Sequence, residues 1–432
     1  MKLSALSNMG RRTEAPPISW LMKLALDHPR LISLAAGFTD TESLPARETR
    51  GLLNEILGSR KRARAALQYG STAGDPELRR LTAERLQELD AVASGAKSFR
   101  RTGAKAPYSP GRTVITNGSQ QLLYLVTECL CDSGDIVLVE DPTYFVFLSI
   151  AQSRGLRCRG VRLEEDGIDL EHLEQTLETL KSRRELKRVK MLYLVSYHQN
   201  PTSVTTSFEK KARALKLLKR FESDAGHPIY LLEDAAYREL RFAGDDVCSA
   251  LALPGADGRV VYAGTYSKPF TTGARVGFGI LPGSLFTVVL SVKGNHDFGT
   301  SNLLQHLLSR ALASCRYKNH LPELQRGYAR KAAVMTDAMR EYFPAVISWN
   351  KPRGGLYVWA RLPRSVKSGV NSKLFQSALK HDVLYVPGQL CYAADPTRRR
   401  PDHEMRLSFG NATEADILKG IARLGATLQR LL

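Results

Sequence analysis

The sequence predicts an α/β protein: a large domain with a mostly parallel sheet flanked by helices, plus a smaller α+β domain. Between residues 113 and 282, short apolar runs alternate with stretches of helical periodicity. These runs are apolar at nearly every position, which is typical of strands buried on both faces of a parallel sheet. The chain also has 432 residues, which is too many for one simple core.

Six apolar runs are expected to form strands of the large domain. They are TVIT (113–116), DIVLVE (135–140), VKMLYLV (189–195), IYLLE (229–233), RVVYAG (259–264) and RVGFGIL (275–281). A separate helix is predicted to begin after Asp75, an N-cap residue that Pro76 follows in the first turn. Ligands of parallel sheets bind at the carboxyl ends of the strands, so residues just past these runs are candidates for a site.

The remaining segments are expected to form the smaller domain. A long helical stretch at 303–342 precedes three short runs, in GGLYVWARLP, VLYVPG and EMRLSFGN. We expect residues 1–68 to form an N-terminal arm and part of the small domain, 69–310 the large domain, and 311–432 the rest of the small domain. Residues 93–112 are rich in Gly, Ser, Pro and charge, which predicts an exposed loop.

The chain is strongly basic, with 62 Lys and Arg residues against 43 Asp and Glu and a net charge of +19. A nucleic-acid surface is one interpretation of this charge. The other is a solvated basic shell that attracts anionic small molecules. The basic clusters at 59–65, 181–190 and 398–400 are not interleaved with aromatic residues. We favour the second interpretation and do not expect nucleic acid as a partner.

The composition favours a cytoplasmic protein. No run of about 18 apolar residues predicts a membrane span, and the N-terminal residues have no continuous apolar core of the secretory kind. The six cysteines are scattered without a CxxC pair, so we expect reduced thiols. We expect no metal site.

Several residues with useful chemistry follow the predicted strands. Ser119 and Gln120 stand between a strand and a helix, where backbone N–H groups hold phosphate or simply make a tight turn. Tyr144 could stack on a flat ligand or belong to the core. Asn200 precedes a proline, as turn residues often do.

A carboxylate pair ends the strand in LLEDAAYREL. Glu233 and Asp234 close the apolar run, and Tyr237 follows three residues later. An unpaired buried charge is costly. We therefore expect a partner for the carboxylate, either a structural arginine or a cationic atom of a ligand.

A lysine follows the next strand, in AGTYSKPFTTGARVGFGI. In an apolar pocket the amine of Lys268 would lose hydration, and its lower pKa would make it nucleophilic enough to form a Schiff base. Arg275 is a candidate for binding phosphate, beside the hydroxyls of Thr265 and Ser267. The alternative is a lysine that extends from the strand end to solvent.

Together these groups describe one ligand, pyridoxal 5′-phosphate, with its phosphate, flat ring, basic nitrogen, phenolic oxygen and aldehyde. The ordered motifs AAGF, YGSTAGDPELR, NGSQQ, EDPTY, QNPT, EDAAY, TYSK, GARVGFG and MRLSFG carry a family resemblance, from about Leu31 to Asn411. The sequence resembles the fold-type I pyridoxal-phosphate enzymes, specifically the class I/II aminotransferases of the aspartate aminotransferase superfamily. The resemblance implies a seven-stranded sheet and a cofactor site in the 69–310 domain.

The resemblance also implies roles around the cofactor ring. Lys268 would hold the cofactor as an internal aldimine and later move the substrate proton. Asp234 would pair with the ring nitrogen, and Tyr237 and Asn200 would hydrogen-bond the phenolic oxygen. Tyr144 would stack on the ring.

Phosphate and substrate contacts follow from the same resemblance. The phosphate ligands would be Ser119, Gln120, Thr265, Ser267 and Arg275. Tyr69 would reach the phosphate of a neighbouring subunit, so a homodimer is expected. Arg406 would bind the substrate α-carboxylate, close to Gly37 and Asn200. One departure is Ser203, which replaces the glycine that usually follows Asn-Pro-Thr.

The implied function is a pyridoxal-phosphate-dependent aminotransferase that moves an amino group between an L-amino acid and a 2-oxo acid. One alternative is another reaction on the same scaffold: a C–S or β-lyase, a decarboxylase, a synthase or an oxidase. A second alternative is a pyridoxal-phosphate-sensing regulator. Such a protein would carry a DNA-binding module in front, and only about 30 residues precede the first motif, fewer than such a module needs.

Overall fold

The structure, a computed structural model, describes residues 5–95 and 107–432. Its helices are α1 (Asn8–Arg12), α2 (Pro17–Asp27), α3 (Ala46–Leu57), α4 (Arg60–Leu67), α5 (Pro76–Ala93), α6 (Gly118–Leu130), α7 (Phe145–Arg154), α8 (Leu170–Ser182), α9 (Phe208–Ala225), α10 (Gly283–Asp297), α11 (Asn302–Ala313), α12 (Arg316–Tyr342), α13 (Lys373–Lys380) and α14 (Glu414–Leu431). Its strands are β1 (Ile32–Ser33), β2 (Thr113–Thr116), β3 (Ile136–Asp141), β4 (Arg157–Glu164), β5 (Gly167–Ile168), β6 (Val189–Val195), β7 (Tyr230–Asp234), β8 (Val260–Thr265), β9 (Gly277–Ile280), β10 (Ser348–Trp349), β11 (Tyr357–Arg361), β12 (Val383–Leu384), β13 (Val386–Pro387) and β14 (Glu404–Ser408). Most of the loop predicted at 93–112 lies outside the described residues.

The large sheet is mostly parallel, as the sequence predicts, with the order β2-β9-β8-β7-β6-β3-β4-β5. Strands β8, β7, β6, β3 and β4 pair in parallel, and β9 runs antiparallel to both of its neighbours. The sheet has eight strands rather than the expected seven. The additional strand is β5, which turns back on β4 in a short hairpin with Gly167 at φ 124°.

The central strands of this sheet, β3, β6, β7 and β8, are buried on both faces. In β6, Met191, Tyr193 and Val195 pack in a cluster that includes residues of α6 and α7. The alternate residues Leu192 and Leu194 pack in a second cluster with residues of α8 and α9. This alternation is the period of two that a strand imposes. It explains why the sequence of a doubly covered strand is apolar throughout.

Two elements differ from the sequence prediction. Strand β4 was missed because its sequence, RCRGVRLE, carries three arginines. The helical stretch at 303–342 is two helices, α11 and α12, separated near Cys315, whose φ is 58°. The domain boundary predicted at residue 310 falls inside α11, and the division into domains stays a prediction. Within the described residues, no helix has the length and apolarity needed to cross a membrane.

A second sheet, β10-β11-β14-β13, is built from the C-terminal segment. The N-terminal segment reaches this region, because β1 pairs in parallel with β12 through Ile32 and Val383. The predicted helix start at Asp75 is confirmed: its carboxylate accepts a hydrogen bond of 2.8 Å from the N–H of Leu78.

A buried ion pair joins α9 to the end of β7. The Nζ of Lys211 lies 2.9 Å from Oε1 of Glu233, and both side chains are fully buried. Glu233 also accepts the N–H of Ala250 at 2.7 Å, and Lys211 donates to the carbonyl of Cys248 at 2.9 Å. The ammonium lies 4.0 Å from the centre of the Tyr197 ring. This pair fixes the backbone next to Asp234.

We expect Lys211→Met to destabilise the protein by about 3–5 kcal/mol, because it leaves the Glu233 carboxylate buried without a cation. The double variant Lys211→Met/Glu233→Gln should recover much of this loss, since an amide oxygen still accepts from Ala250. Urea unfolding of the three proteins measures both effects. Equal stability of the single variant and the wild type would show that the pair is not needed.

Candidate active site

A cavity of about 220 Å³ opens at the carboxyl ends of the parallel strands. Residues from both ends of the chain line it together with residues of the large sheet. Every predicted site residue except Tyr69 lies in its wall: Gly37, Ser119, Gln120, Tyr144, Asn200, Asp234, Tyr237, Thr265, Ser267, Lys268, Arg275 and Arg406. The fold therefore brings together groups that lie more than 300 positions apart in the sequence.

Asp234 is the last residue of β7 and is only 3% exposed. Its Oδ2 accepts the hydroxyl of Tyr193 at 2.9 Å, and its Oδ1 accepts the N–H of Ala236 at 3.1 Å. Burial raises the pKa of the carboxyl to about 6, against the two hydrogen bonds that favour the charged form. The carboxylate is therefore well suited to a cationic ligand atom, which would relieve its desolvation.

Lys268 follows β8 and is half-buried. Its Nζ donates a hydrogen bond of 2.7 Å to the carbonyl of Gly37. Burial, together with the positive charges of Arg275 and Arg406, lowers the pKa of the amine to about 8. A substantial neutral fraction near physiological pH makes this amine a nucleophile and a base.

A cradle for an anion lies beside the lysine, where α6 begins. The Nη1 of Arg275 donates to the hydroxyl of Ser267 at 3.3 Å, and Thr265 accepts the N–H of Ser267 at 3.1 Å. Gly118 has φ 73°, and a Cβ there would lie 2.7 Å from the Arg275 guanidinium. The helix N-terminus at Ser119 thus meets a guanidinium and hydroxyls, a combination that suits phosphate.

Arg406 lies in β14 and is 1% exposed. Its guanidinium donates to Oδ1 of Asn200 at 2.7 Å and to the carbonyl of Ala35 at 2.6 Å. It lies 4.3 Å from the ring centre of Tyr357 and 5.2 Å from that of Phe145. Its Nε has no hydrogen-bond partner in the described part of the chain. A guanidinium in the wall of a cavity attracts an anionic ligand.

A group of phenols surrounds this arginine. The hydroxyls of Tyr237 and Tyr357 lie 3.0 Å apart, and Nδ2 of Asn200 lies 3.5 Å from the Tyr237 hydroxyl. Burial raises the pKa of Tyr237 well above its usual value, so the phenol stays protonated and can donate. Tyr357 also explains Gly37, since a Cβ at residue 37 would lie 2.5 Å from its hydroxyl. The sequence analysis missed Tyr357, which looks like an ordinary strand residue.

A second missed residue is Glu140, fully buried at the end of β3. Its Oε2 accepts the N–H of Val195 at 2.9 Å and the side-chain amide of Gln199 at 2.8 Å. Gln199 in turn accepts the hydroxyl of Thr202 at 2.5 Å. Burial raises the pKa of the Glu140 carboxyl to about 8. These bonds hold the turn that presents Asn200.

Ser203, which departs from the family pattern, closes the same turn. Its φ is 61°, a conformation that glycine adopts freely and other residues rarely do. Its hydroxyl donates to the carbonyl of Tyr357 at 2.6 Å. Its N–H donates to the carbonyl of Gln199 at 2.7 Å. The serine therefore keeps the glycine conformation and adds a bond to β11.

Tyr69 does not reach the cavity of its own chain. Its side chain is 83% exposed and packs edge-to-face on Phe298, with ring centres 5.4 Å apart. Phe298 is itself 58% exposed. Two aromatic rings thus stand together at the surface.

The residues present fit pyridoxal 5′-phosphate. The anion cradle at Ser119 and Arg275 matches its phosphate, the buried carboxylate of Asp234 its ring nitrogen, and the amine of Lys268 its aldehyde. The guanidinium of Arg406 lies in the wall of the same cavity and suits a carboxylate. All four groups line the same cavity: three match different parts of the cofactor, and Arg406 is left for a second anion.

Known proteins support the same assignment. The matching family is aminotransferase class I and II, over residues 29–424. The aromatic-amino-acid aminotransferase 1 of Thermococcus litoralis is 31% identical, covering 96% of this chain and 92% of its own. The 2-aminoadipate transaminase of Thermus thermophilus is 30% identical, with 98% and 96% covered. The structure of Pyrococcus horikoshii kynurenine aminotransferase in complex with PMP superposes with a TM-score of 0.87 at 30% identity, covering 99% of this chain and 98% of its own. The chain belongs to the class I and II aminotransferases, which are fold-type I enzymes dependent on pyridoxal phosphate.

Proposed function

We propose that this pyridoxal-phosphate-dependent aminotransferase moves an amino group between an L-amino acid and a 2-oxo acid in the cavity at the ends of β7 and β8. The observation that carries the proposal is the position of Lys268. Its amine has a pKa lowered to about 8 and lines the same cavity as the carboxylate of Asp234 and the guanidinium of Arg406. A basic amine, a carboxylate and an anion-binding group in one cavity support amino transfer.

The cofactor would be held by residues on every side of the cavity. Pyridoxal phosphate, when bound, supplies a ring that withdraws electrons from the Cα of the amino acid. Asp234 would accept a hydrogen bond from the ring nitrogen and keep it protonated. Tyr237 and Asn200 would donate to the phenolic oxygen, and Tyr144 would pack on the ring. The phosphate would be bound by Ser119, Gln120, Thr265, Ser267 and Arg275.

Lys268 and Arg406 would act on the amino acid itself. The Arg406 guanidinium would bind the α-carboxylate close to Gly37 and so orient the Cα–H bond. Lys268 would take the proton from Cα as a general base and deliver it to C4′ of the cofactor, and the reverse half of the reaction would move a proton back from C4′ to Cα. Because burial and two nearby cations lower the pKa of this amine, it can accept that proton near neutral pH.

We also propose that the enzyme is a homodimer and that Tyr69 completes the phosphate site of the partner subunit. The exposure of Tyr69 and Phe298 supports this, since paired aromatic rings at a surface are typical of an interface. Within one chain, Tyr69 lines neither the cavity nor its anion cradle. A cytoplasmic location remains a proposal from the sequence.

Lys268→Ala should abolish covalent cofactor attachment and lower kcat by at least about 10²–10⁴-fold, because the general base is lost. Borohydride reduction followed by peptide mass spectrometry should find the pyridoxyl group on Lys268 in the wild type and on no residue in the variant. Lys23→Ala, which changes an exposed lysine of α2, is the matched control and should keep the label. A pyridoxyl group on another lysine of the wild type would refute the assignment.

Arg406→Ala should lower kcat/KM for amino acids by about 10–100-fold, since a hydrogen bond to a charged group contributes about 1.5–3 kcal/mol. The spectrum of the bound cofactor should be unchanged. Arg406→Lys should not restore the affinity, because lysine cannot form a bidentate pair.

Arg275→Ala provides the contrast to Arg406→Ala. It should weaken cofactor binding and leave the KM of the reloaded enzyme for amino acids close to the wild-type value. If Arg406→Ala weakened binding of the cofactor instead of binding of the amino acid, the two arginines would have been assigned to the wrong anions.

Mixing Tyr69→Phe subunits with Lys268→Ala subunits should restore activity. In a mixed dimer, the site with an intact Lys268 receives an intact Tyr69 from the partner. Activity should exceed that of either parent variant after subunit exchange, while the Tyr69→Phe homodimer, which keeps Lys268, stays impaired. A mixture no more active than the Tyr69→Phe homodimer would mean that each site is built from one chain.

A further inference from the structure

The cavity has three cationic side chains among its described lining residues, and each already has a use. Lys268 donates to the carbonyl of Gly37. Arg275 meets Ser267 at the anion cradle, and Arg406 bonds Asn200 and Ala35. A substrate with a second carboxylate would need a further cation. In the described wall of this chain, none remains for it.

Several of the lining residues that are not assigned to the cofactor are apolar. Ile18, Phe38, Phe145 and Val146 face the same cavity as Lys268. Phe38 is 43% exposed, although its neighbour Gly37 accepts the bond from the lysine amine. Apolar side chains that line a cavity beside a reactive group provide a binding surface for an apolar ligand.

Ile18 is held in place by the packing of α2. Leu21 of this helix is 2% exposed, and Trp20 stacks on Phe375 with ring centres 5.9 Å apart. The nearest cation along the helix is Lys23, which is exposed and does not line the cavity. Five residues correspond to about 140° around a helix axis, so Lys23 points away from the direction of Ile18. The face of α2 at the cavity is therefore apolar.

We propose, resting on the aminotransferase function proposed above, that the amino donor carries an uncharged aromatic or branched aliphatic side chain that binds against Ile18, Phe38 and Val146. An acidic side chain in this position would be removed from water without a partner, which is costly. An apolar side chain would instead cover Phe38 and Ile18 from solvent. The 2-aminoadipate transaminase among the relatives makes acidic donors the natural competitors.

Single-turnover kinetics of the holoenzyme test the proposal. Each donor is added to the enzyme, and the absorbance of the bound cofactor reports its conversion to the amine form. L-Leucine is compared with L-aspartate, and L-phenylalanine with L-2-aminoadipate, at fixed ionic strength. We expect the apolar member of each pair to react with a second-order rate constant at least ~10²-fold higher, because the acidic donor would bury a carboxylate without a partner.

The outcomes separate this inference from the proposed function. Acidic donors that react as fast as their apolar counterparts would overturn the donor class while the aminotransferase assignment stands. Such a result would also be expected if the partner subunit supplied a cation to the cavity. A holoenzyme that no donor of either kind converts would overturn both.

A charge introduced at Ile18 gives a second, independent test. Ile18→Arg places a cation in the apolar wall, and Ile18→Gln is the control of similar polarity without charge. The ratio of acidic to apolar donor rate constants should rise at least ~10-fold in the arginine variant and much less in the glutamine variant, because a direct ion pair offsets desolvation of the carboxylate. Pyridoxyl labelling of Lys268 verifies that each variant retains the site. An unchanged ratio in labelled Ile18→Arg would show that Ile18 does not contact the donor side chain.

Discussion

The buried guanidinium of Arg406 is the constraint on which the site depends. Among the residues that the structure describes it has no carboxylate partner, and it is held by the carbonyl of Ala35, the amide oxygen of Asn200 and two aromatic rings. Four segments far apart in the sequence therefore meet around one charge. Since neutral groups solvate the cation, its positive field persists in the cavity and contributes to the lowered pKa of Lys268.

The negative charge of the site is kept separate from this cation. Asp234 is bonded to a phenol and a backbone N–H, and no ion pair is recorded for it among the described residues. Because the groups around Asp234 are neutral, they do not fully offset the cost of removing its carboxylate from water, and the pKa of the carboxyl is raised. The large sheet thus holds a carboxylate and a cation in one cavity without letting them neutralise each other. A bound group with both a cationic and an anionic end can then satisfy both.

The sequence predicts the parts of this arrangement that belong to strand ends. Asp234 and Lys268 each stand at the end of an apolar run. Their place in the site can therefore be predicted from the rule that ligands bind at the carboxyl ends of parallel strands. Tyr357 and Glu140 could not be found in this way, because their importance comes from contacts with Tyr237 and Gln199 across 120 and 59 residues. Strand β4 was missed for a different reason: its three arginines hide the apolar signal, although residues 158–161 of the strand are buried.

Ser203 shows how a local departure can be tolerated at a constrained turn. A left-handed backbone favours glycine because a Cβ clashes with the backbone in this conformation. Any other residue at this position must offset that energetic cost through an additional contact. The serine hydroxyl does so by bridging to the backbone of β11 at Tyr357. Position 203 thus admits either a residue without a side chain or one that can reach across. Alanine, which has the steric cost without the bridge, therefore suits this turn less well than either glycine or serine.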